Sequence, residues 1–142
     1  MKKVTIIYWS GTGNTASMAQ AIAEGAKEAQ AEVVLLSVDQ ASIDDVANAD
    51  AVALGCPSMG AEELEDMEME PFVESTKAVI DGKPLVLFGS YDWGDGEWMQ
   101  TWQERMESYG ANLISDGYIN TLTPSDDDLA ALKTLGAKLA NA

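Results

Sequence analysis

The hexapeptide Ser10-Gly11-Thr12-Gly13-Asn14-Thr15 is the stretch best suited to holding a ligand. Its glycines allow a sharp turn and a close approach of backbone N–H groups to a bound group. Ser10, Thr12, Asn14 and Thr15 add neutral hydrogen-bonding side chains. No Lys or Arg stands among them, which suits a terminal phosphate monoester rather than a triphosphate with Mg²⁺. The Walker pattern is absent. A dinucleotide reading stays open, because Gly11-x-Gly13-x-x-Ala16 fits that fingerprint with Asp39 as the ribose acid. Against it, such a loop needs no hydroxyls beside its glycines, and the chain is short for a complete dinucleotide domain.

Two further segments add chemistry. In Pro57-Ser58-Met59-Gly60-Ala61-Glu62, a polarizable Met precedes a residue free to take positive φ. In Ser90-Tyr91-Asp92-Trp93-Gly94, a Trp among Gly and Asp is hard to explain as core and suits stacking on a planar ring. Cys56 has no CxxC partner or cationic neighbour, so it reads as a small buried hydrophobe. The chain has no His, the commonest general base and metal ligand, and no catalytic residue or metal site is expected.

The elements that must position these segments alternate in type. Lys3–Tyr8, Glu32–Val38, Ala51–Gly55, Pro84–Gly89 and a broken stretch near Asn112–Ile119 read as strands. Their continuous apolar runs fit parallel strands covered on both faces. Helical patterns fall at Thr15–Ala29, Ile43–Ala49, Pro71–Ile80, Glu97–Tyr109 and Asp126–Leu139. Pro71 suits a first helical position, and Ser125 suits a cap before Asp126-Asp127-Asp128. Trp98, Trp102 and Met106 form one apolar stripe; Leu129, Leu132, Leu135 and Leu139 form another. Without linkers or repeats, residues 1–142 read as a single doubly wound α/β domain. Its ligand should bind beyond the C-terminal ends of the strands, where the three segments lie.

Composition narrows the class. Eight Lys+Arg against 24 Asp+Glu give a net charge of −16, and the pI is near 4.1. That field opposes nucleic acid and anionic membranes and steers basic proteins toward the molecule. No apolar run reaches the roughly 18–20 residues of a membrane span. One Cys fits a reducing compartment, and a cytoplasmic location is expected.

Tyr8-Trp9-Ser10-Gly11-Thr12-Gly13-Asn14-Thr15 resembles the phosphate loop of flavodoxins, especially the short-chain clostridial type. Leu54-Gly55-Cys56-Pro57-Ser58-Met59-Gly60 resembles their second loop, and Leu87-Phe88-Gly89-Ser90-Tyr91-x-Trp93-Gly94 their third. The resemblance implies a flavodoxin-like five-stranded parallel sheet of order 2-1-3-4-5 with helices on both faces. It implies a low-potential electron carrier, not an enzyme, whose non-covalent FMN cycles between semiquinone and hydroquinone. Ser10, Gly11, Thr12, Gly13, Asn14, Thr15 and Ser90 would then hold the phosphate. Pro57, Ser58, Met59, Gly60, Ala61 and Glu62 would embrace the inner face and N5 edge of the ring. Met59 would pack on that ring, and Glu62 would bond its N3 edge. The Gly60 peptide would flip to accept from N5–H. Tyr91, Asp92, Trp93 and Gly94 would close the other side, with Trp93 over the outer face and the Asp92 amide toward N1 and O2.

The chain departs from the family at Asp92, usually Gly, and at Ala61, usually polar. Both changes bear on the flavin potential. A unit charge about 10 Å from the ring, at an effective dielectric near 20, costs about 1.7 kcal/mol and lowers a one-electron potential by up to about 70 mV before screening. The FMN phosphate, Glu62, Glu63, Glu65, Asp66, Asp92 and Asp95 would all act in that direction. The run Glu62–Glu70, six acids in nine residues, would ring the flavin edge and meet basic redox proteins docking on a monomer. An alternative from another class is a flavodoxin-like NAD(P)H:quinone or flavin reductase, but short loops and the Trp93 lid leave little room for a second substrate. A phospho-receiver domain would need an acidic pair where Trp9-Ser10 stands and an Asp in place of Cys56.

Overall fold

The computed structural model describes residues 2–59, 63–92 and 94–142. The apolar runs form β1 (Lys3–Tyr8), β2 (Glu32–Ser37), β3 (Ala51–Gly55) and β4 (Pro84–Tyr91). Two short strands follow, β5 (Asn112–Leu113) and β6 (Tyr118–Thr121). All pair in parallel, in the order β2-β1-β3-β4-β5, with β6 also on β4. β5 pairs with the start of β4 (Pro84↔Asn112) and β6 with its end (Phe88↔Tyr118). They are two halves of one interrupted fifth strand, as the broken pattern near Asn112–Ile119 predicts. β3 is buried along its whole length, whereas the edge strand β2 is half-exposed.

The helices are α1 (Asn14–Glu28), α2 (Ile43–Ala47), α3 (Met69–Thr76), α4 (Glu97–Ser108) and α5 (Asp126–Ala140). Alternation along each strand sends successive side chains to opposite faces, giving two cores. One joins Val4, Ile6, Ala53, Val86 and Phe88 to α1 and α5. The other joins Ile7, Val52, Leu54 and Leu87 to α2, α3 and α4. Trp98, Trp102 and Met106 are all buried there, as their spacing predicts.

α1 and α5 pack backbone to backbone through glycine. A Cβ on Gly25 would overlap the Lys133 carbonyl, and one on Gly136 would overlap the Ile22 carbonyl. The capping expectation at α5 holds: Ser125 Oγ accepts from Asp128 N at 3.1 Å, and Asp128 accepts from Ser125 N at 2.9 Å.

The expectation for Pro71 does not hold. α3 starts at Met69, so Pro71 is its third residue and the helix closes at Thr76 rather than Ile80. First-turn residues need no intrahelical donor, which is why a proline fits there. The start is set instead by Glu65, whose carboxylate accepts from the N–H groups of Met67, Glu68 and Met69 at 2.7–2.9 Å.

Candidate functional site

The C-terminal ends of β1, β3 and β4 open into a cleft of about 220 Å³. The phosphate-loop segment forms one wall. Gly13 takes φ 95° immediately before α1, a conformation that strains any other residue. Ser10 Oγ accepts from Gly13 N at 3.0 Å, and this bond closes the loop. No described residue accepts from the N–H groups of Gly11, Thr12, Asn14 or Thr15. Gathered at the positive end of α1, these donors make an anion site without a cation.

Behind the loop, Thr15 Oγ1 and Ser90 Oγ lie 3.2 Å apart in a buried hydroxyl pair. This contact ties the first segment to the third. The second segment is joined by an extension of the β3–β4 ladder, in which Cys56 N donates to the Phe88 carbonyl and Ser58 N to the Ser90 carbonyl. Met59 and Glu63 then exchange both backbone hydrogen bonds, at 2.8 and 2.9 Å. These bonds hold Met59 and Glu63 together.

Gly11, Thr12, Asn14, Pro57, Ser58, Met59, Ser90, Tyr91 and Asp92 thus share one cleft, as expected from the sequence. Ser10 and Gly13 line a second cleft on the other side of their loop, toward Ser37 and Asp39. Gly94 stands at φ 89° at the end of the third segment. Gly60, Ala61, Glu62 and Trp93 lie outside the described residues. Tyr91 has a second neighbour: its ring lies 5.5 Å from that of Trp98, whose indole N–H donates to the Cys56 carbonyl.

Two cleft residues are not among the expected binding residues, Trp9 and Leu122. Trp9 stands next to the phosphate loop in sequence, and its ring lies 3.1 Å from where a Cβ on Gly11 would sit. Its indole N–H donates to Glu68 at 3.2 Å. Nothing in the local sequence announces Leu122, which arrives from the far end of the chain.

The acidic run is less uniform than its composition suggests. Glu65 is only 6% exposed and serves as the anchor of the α3 turn. Burial works against its ionisation, but the N–H groups of Met69, Glu68 and Met67 outweigh it and hold the carboxyl below the usual range. Glu70 makes a two-pronged ion pair with Arg105 at 2.6 and 2.7 Å. Cys56 is buried, and that burial pushes its thiol up to about 12, so it is protonated and inert at neutral pH. Among the described residues no group of His, Cys, Asp and Glu could hold a metal ion.

These residues fit FMN on physical grounds. A cation-free set of unpaired N–H donors suits a phosphate, and the adjoining Pro57, Met59 and Tyr91 suit a planar ring. The comparisons with known proteins agree. A family model described as Flavodoxin matches residues 6–134. A flavodoxin of Megasphaera elsdenii is 45% identical over 139 residues, covering 98% of this chain and 99% of its own length. A flavodoxin of Clostridium beijerinckii is 43% identical over 136 residues, covering 96% and 98%. The solution structure of two-electron reduced M. elsdenii flavodoxin superposes with a TM-score of 0.86 at 44% identity, over 95% of this chain and 98% of that one. The reductase alternative is not favoured by this company. Joined in sequence, strand order and cleft, these likenesses place the chain in the flavodoxin family, FMN-holding electron-transfer proteins rather than enzymes.

Proposed function

We propose that residues 1–142 form one FMN domain in which the 10–15 loop and Ser90 hold the phosphate. Residues 57–62 and 90–94 would hold the ring. The carrying observation is the convergence of a cation-free set of unpaired N–H groups with two other segments on a single cleft. Bound FMN supplies the ability to take up and release electrons one at a time. The chain supplies position and field. α1 would direct its positive end at the phosphate, and Met59 and Tyr91, with Trp93 by the family resemblance, would keep water from the ring. By the family resemblance, Glu62 would bond the N3 edge, and the Gly60 carbonyl would accept a hydrogen bond from N5–H. Among the described residues no Lys or Arg lines the cleft and Asp92 brings a carboxylate to it, so added negative charge on the ring would be opposed and the potential would be low.

Basic redox proteins dock at the exposed ring edge of a monomer in the cytoplasm, drawn by the net charge of −16. Of the 62–70 run, Glu63 and Asp66 remain for docking, because Glu62 is assigned to the ring edge, Glu68 accepts from Trp9, and Glu65 and Glu70 hold the fold. Among the described residues no helix is long and apolar enough to cross a membrane.

Titrating the apoprotein with FMN, riboflavin and FAD tests the cofactor assignment. FMN should bind about a hundredfold or more tighter than riboflavin, because only FMN uses the charge-assisted bonds of the loop. Comparable affinity for riboflavin would overturn it. Electron transfer to a basic haem protein should slow as salt is raised; a rate insensitive to ionic strength would remove the docking reading.

A further inference from the structure

Leu122 stands at φ 55°, in the left-handed region that a branched side chain rarely adopts. It is also one of the few large apolar residues left open to solvent, at 53% exposure. Both features cost stability, yet the surroundings enforce them. Leu122 N donates to the Tyr91 carbonyl at 2.8 Å, and the Asn120 side-chain amide donates to the Leu122 carbonyl at 2.9 Å. Next along the chain, Thr123 Oγ1 donates to Asn14 Oδ1 at 3.2 Å. The turn is therefore fastened to the ring-side segment through Tyr91 and to the start of α1 through Asn14. Asn120 is buried, and its amide oxygen has no partner among the described residues. An apolar residue there would avoid that cost, so the amide is explained by the carbonyl it holds.

Strain that several contacts over-determine points to a ligand-facing role. Leu122 lines the same cleft as Gly11, Thr12 and Asn14 of the phosphate segment and Ser58, Tyr91 and Asp92 of the other two. Its turn is bonded to both, to Tyr91 of the ring segment and, through Thr123, to Asn14 of the phosphate segment.

We propose that Leu122 is a ligand-binding residue that covers the sugar-alcohol chain linking ring and phosphate, with Asn120 as the positioning residue that holds it there. The proposal rests on the FMN reading of the cleft. On binding, Leu122 loses much of its remaining exposure, and the flavin's middle portion loses its contact with water. A contact with the linking chain is common to FMN and riboflavin. A contact with the phosphate is not.

The test uses Leu122→Gly and Leu122→Asn. Gly adopts φ 55° freely, and Asn is the side chain that tolerates it best. Neither should lower the thermal midpoint of the apoprotein. Each should weaken FMN by about fivefold, the share of a leucine's burial that the ligand completes. Each should weaken riboflavin by the same factor. Affinities equal to wild type for both ligands would overturn the proposal. A loss confined to FMN would also overturn it, because Leu122 would then act through Thr123 and the phosphate loop. So would a fall in apoprotein stability that accounts for the loss of affinity. If the wild-type apoprotein binds no flavin, the FMN reading itself fails, an outcome distinct from each of these.

Discussion

The two faces of the sheet support the two ends of the cleft by different means. On one face α1 and α5 lie so close that Gly25 and Gly136 each meet a backbone carbonyl of the opposite helix. The phosphate loop is the N-terminal continuation of α1, so this closeness holds its N–H groups in place. On the other face large side chains fill the space: Met69, Phe72, Met99, Trp98 and Trp102. There the links to the site are single hydrogen bonds, such as Trp98 to the Cys56 carbonyl and Trp9 to Glu68. Methionine is adaptable, and the buried Trp102 N–H has no partner among the described residues. A phosphate needs the same fixed donors in every redox state. A ring that gains electrons and a proton needs loops able to adjust.

The sharpest way to break this contrast is to add one methyl to the rigid face. Gly136→Ala should cost about 3 kcal/mol, because the Cβ meets backbone that cannot rotate away. Urea unfolding of the apoprotein measures it. A cost near zero would mean that the helices slide apart freely and that the rigid anchor is illusory.

At the ring end, Trp93→Ala should weaken FMN by about 1–3 kcal/mol, the scale of one ring stacked on a planar base. It should also raise the potential for the second electron, because water then reaches the charged ring. If neither the affinity nor that potential moves, Trp93 lies elsewhere.

Glu65→Gln probes the polar fastening of the adaptable face. The variant loses an acceptor for Met67 N and the charge that strengthens the bonds to Glu68 and Met69, a cost of about 1–2 kcal/mol at neutral pH. The folded carboxyl lies below its unfolded value, so its stabilisation is complete above the unfolded value and fades as the pH falls through the folded one. The gap between wild type and variant should therefore narrow below about pH 4 in denaturation curves. A gap that stays constant with pH would show that the charge plays no part.

The smallest effect is expected at Gly60. If its peptide turns over to accept from N5–H, Gly60→Ala adds a cost of about 1 kcal/mol in the one-electron state alone. The first potential should fall by roughly 50 mV, the radical yield on stepwise reduction should drop, and oxidised FMN should bind as before. A redox titration identical to wild type would remove the flip.

Much of this molecule is written in local pattern. The spacing of Trp98, Trp102 and Met106 names a buried helical face, and Ser125 with Asp128 names a helix start, because both depend only on neighbours in the chain. The phosphate loop is legible for the same reason: its glycines, hydroxyls and the helix behind them are contiguous, so backbone chemistry alone specifies an anion site. What the sequence could not determine is which distant segments meet. Glu65 reads as one more surface acid, but the fold buries it as the cap that starts α3 two residues before Pro71. Trp9 becomes a cleft wall because Glu68 reaches its indole. Leu122 enters the site because β6 lies along the end of β4, which brings the Tyr91 carbonyl to its N–H and Asn120 to its carbonyl. The contacts of Trp9 and Leu122 join residues about thirty to sixty positions apart, and the burial of Glu65 comes from packing that its neighbours in the chain do not announce. Only the packed sheet decides them.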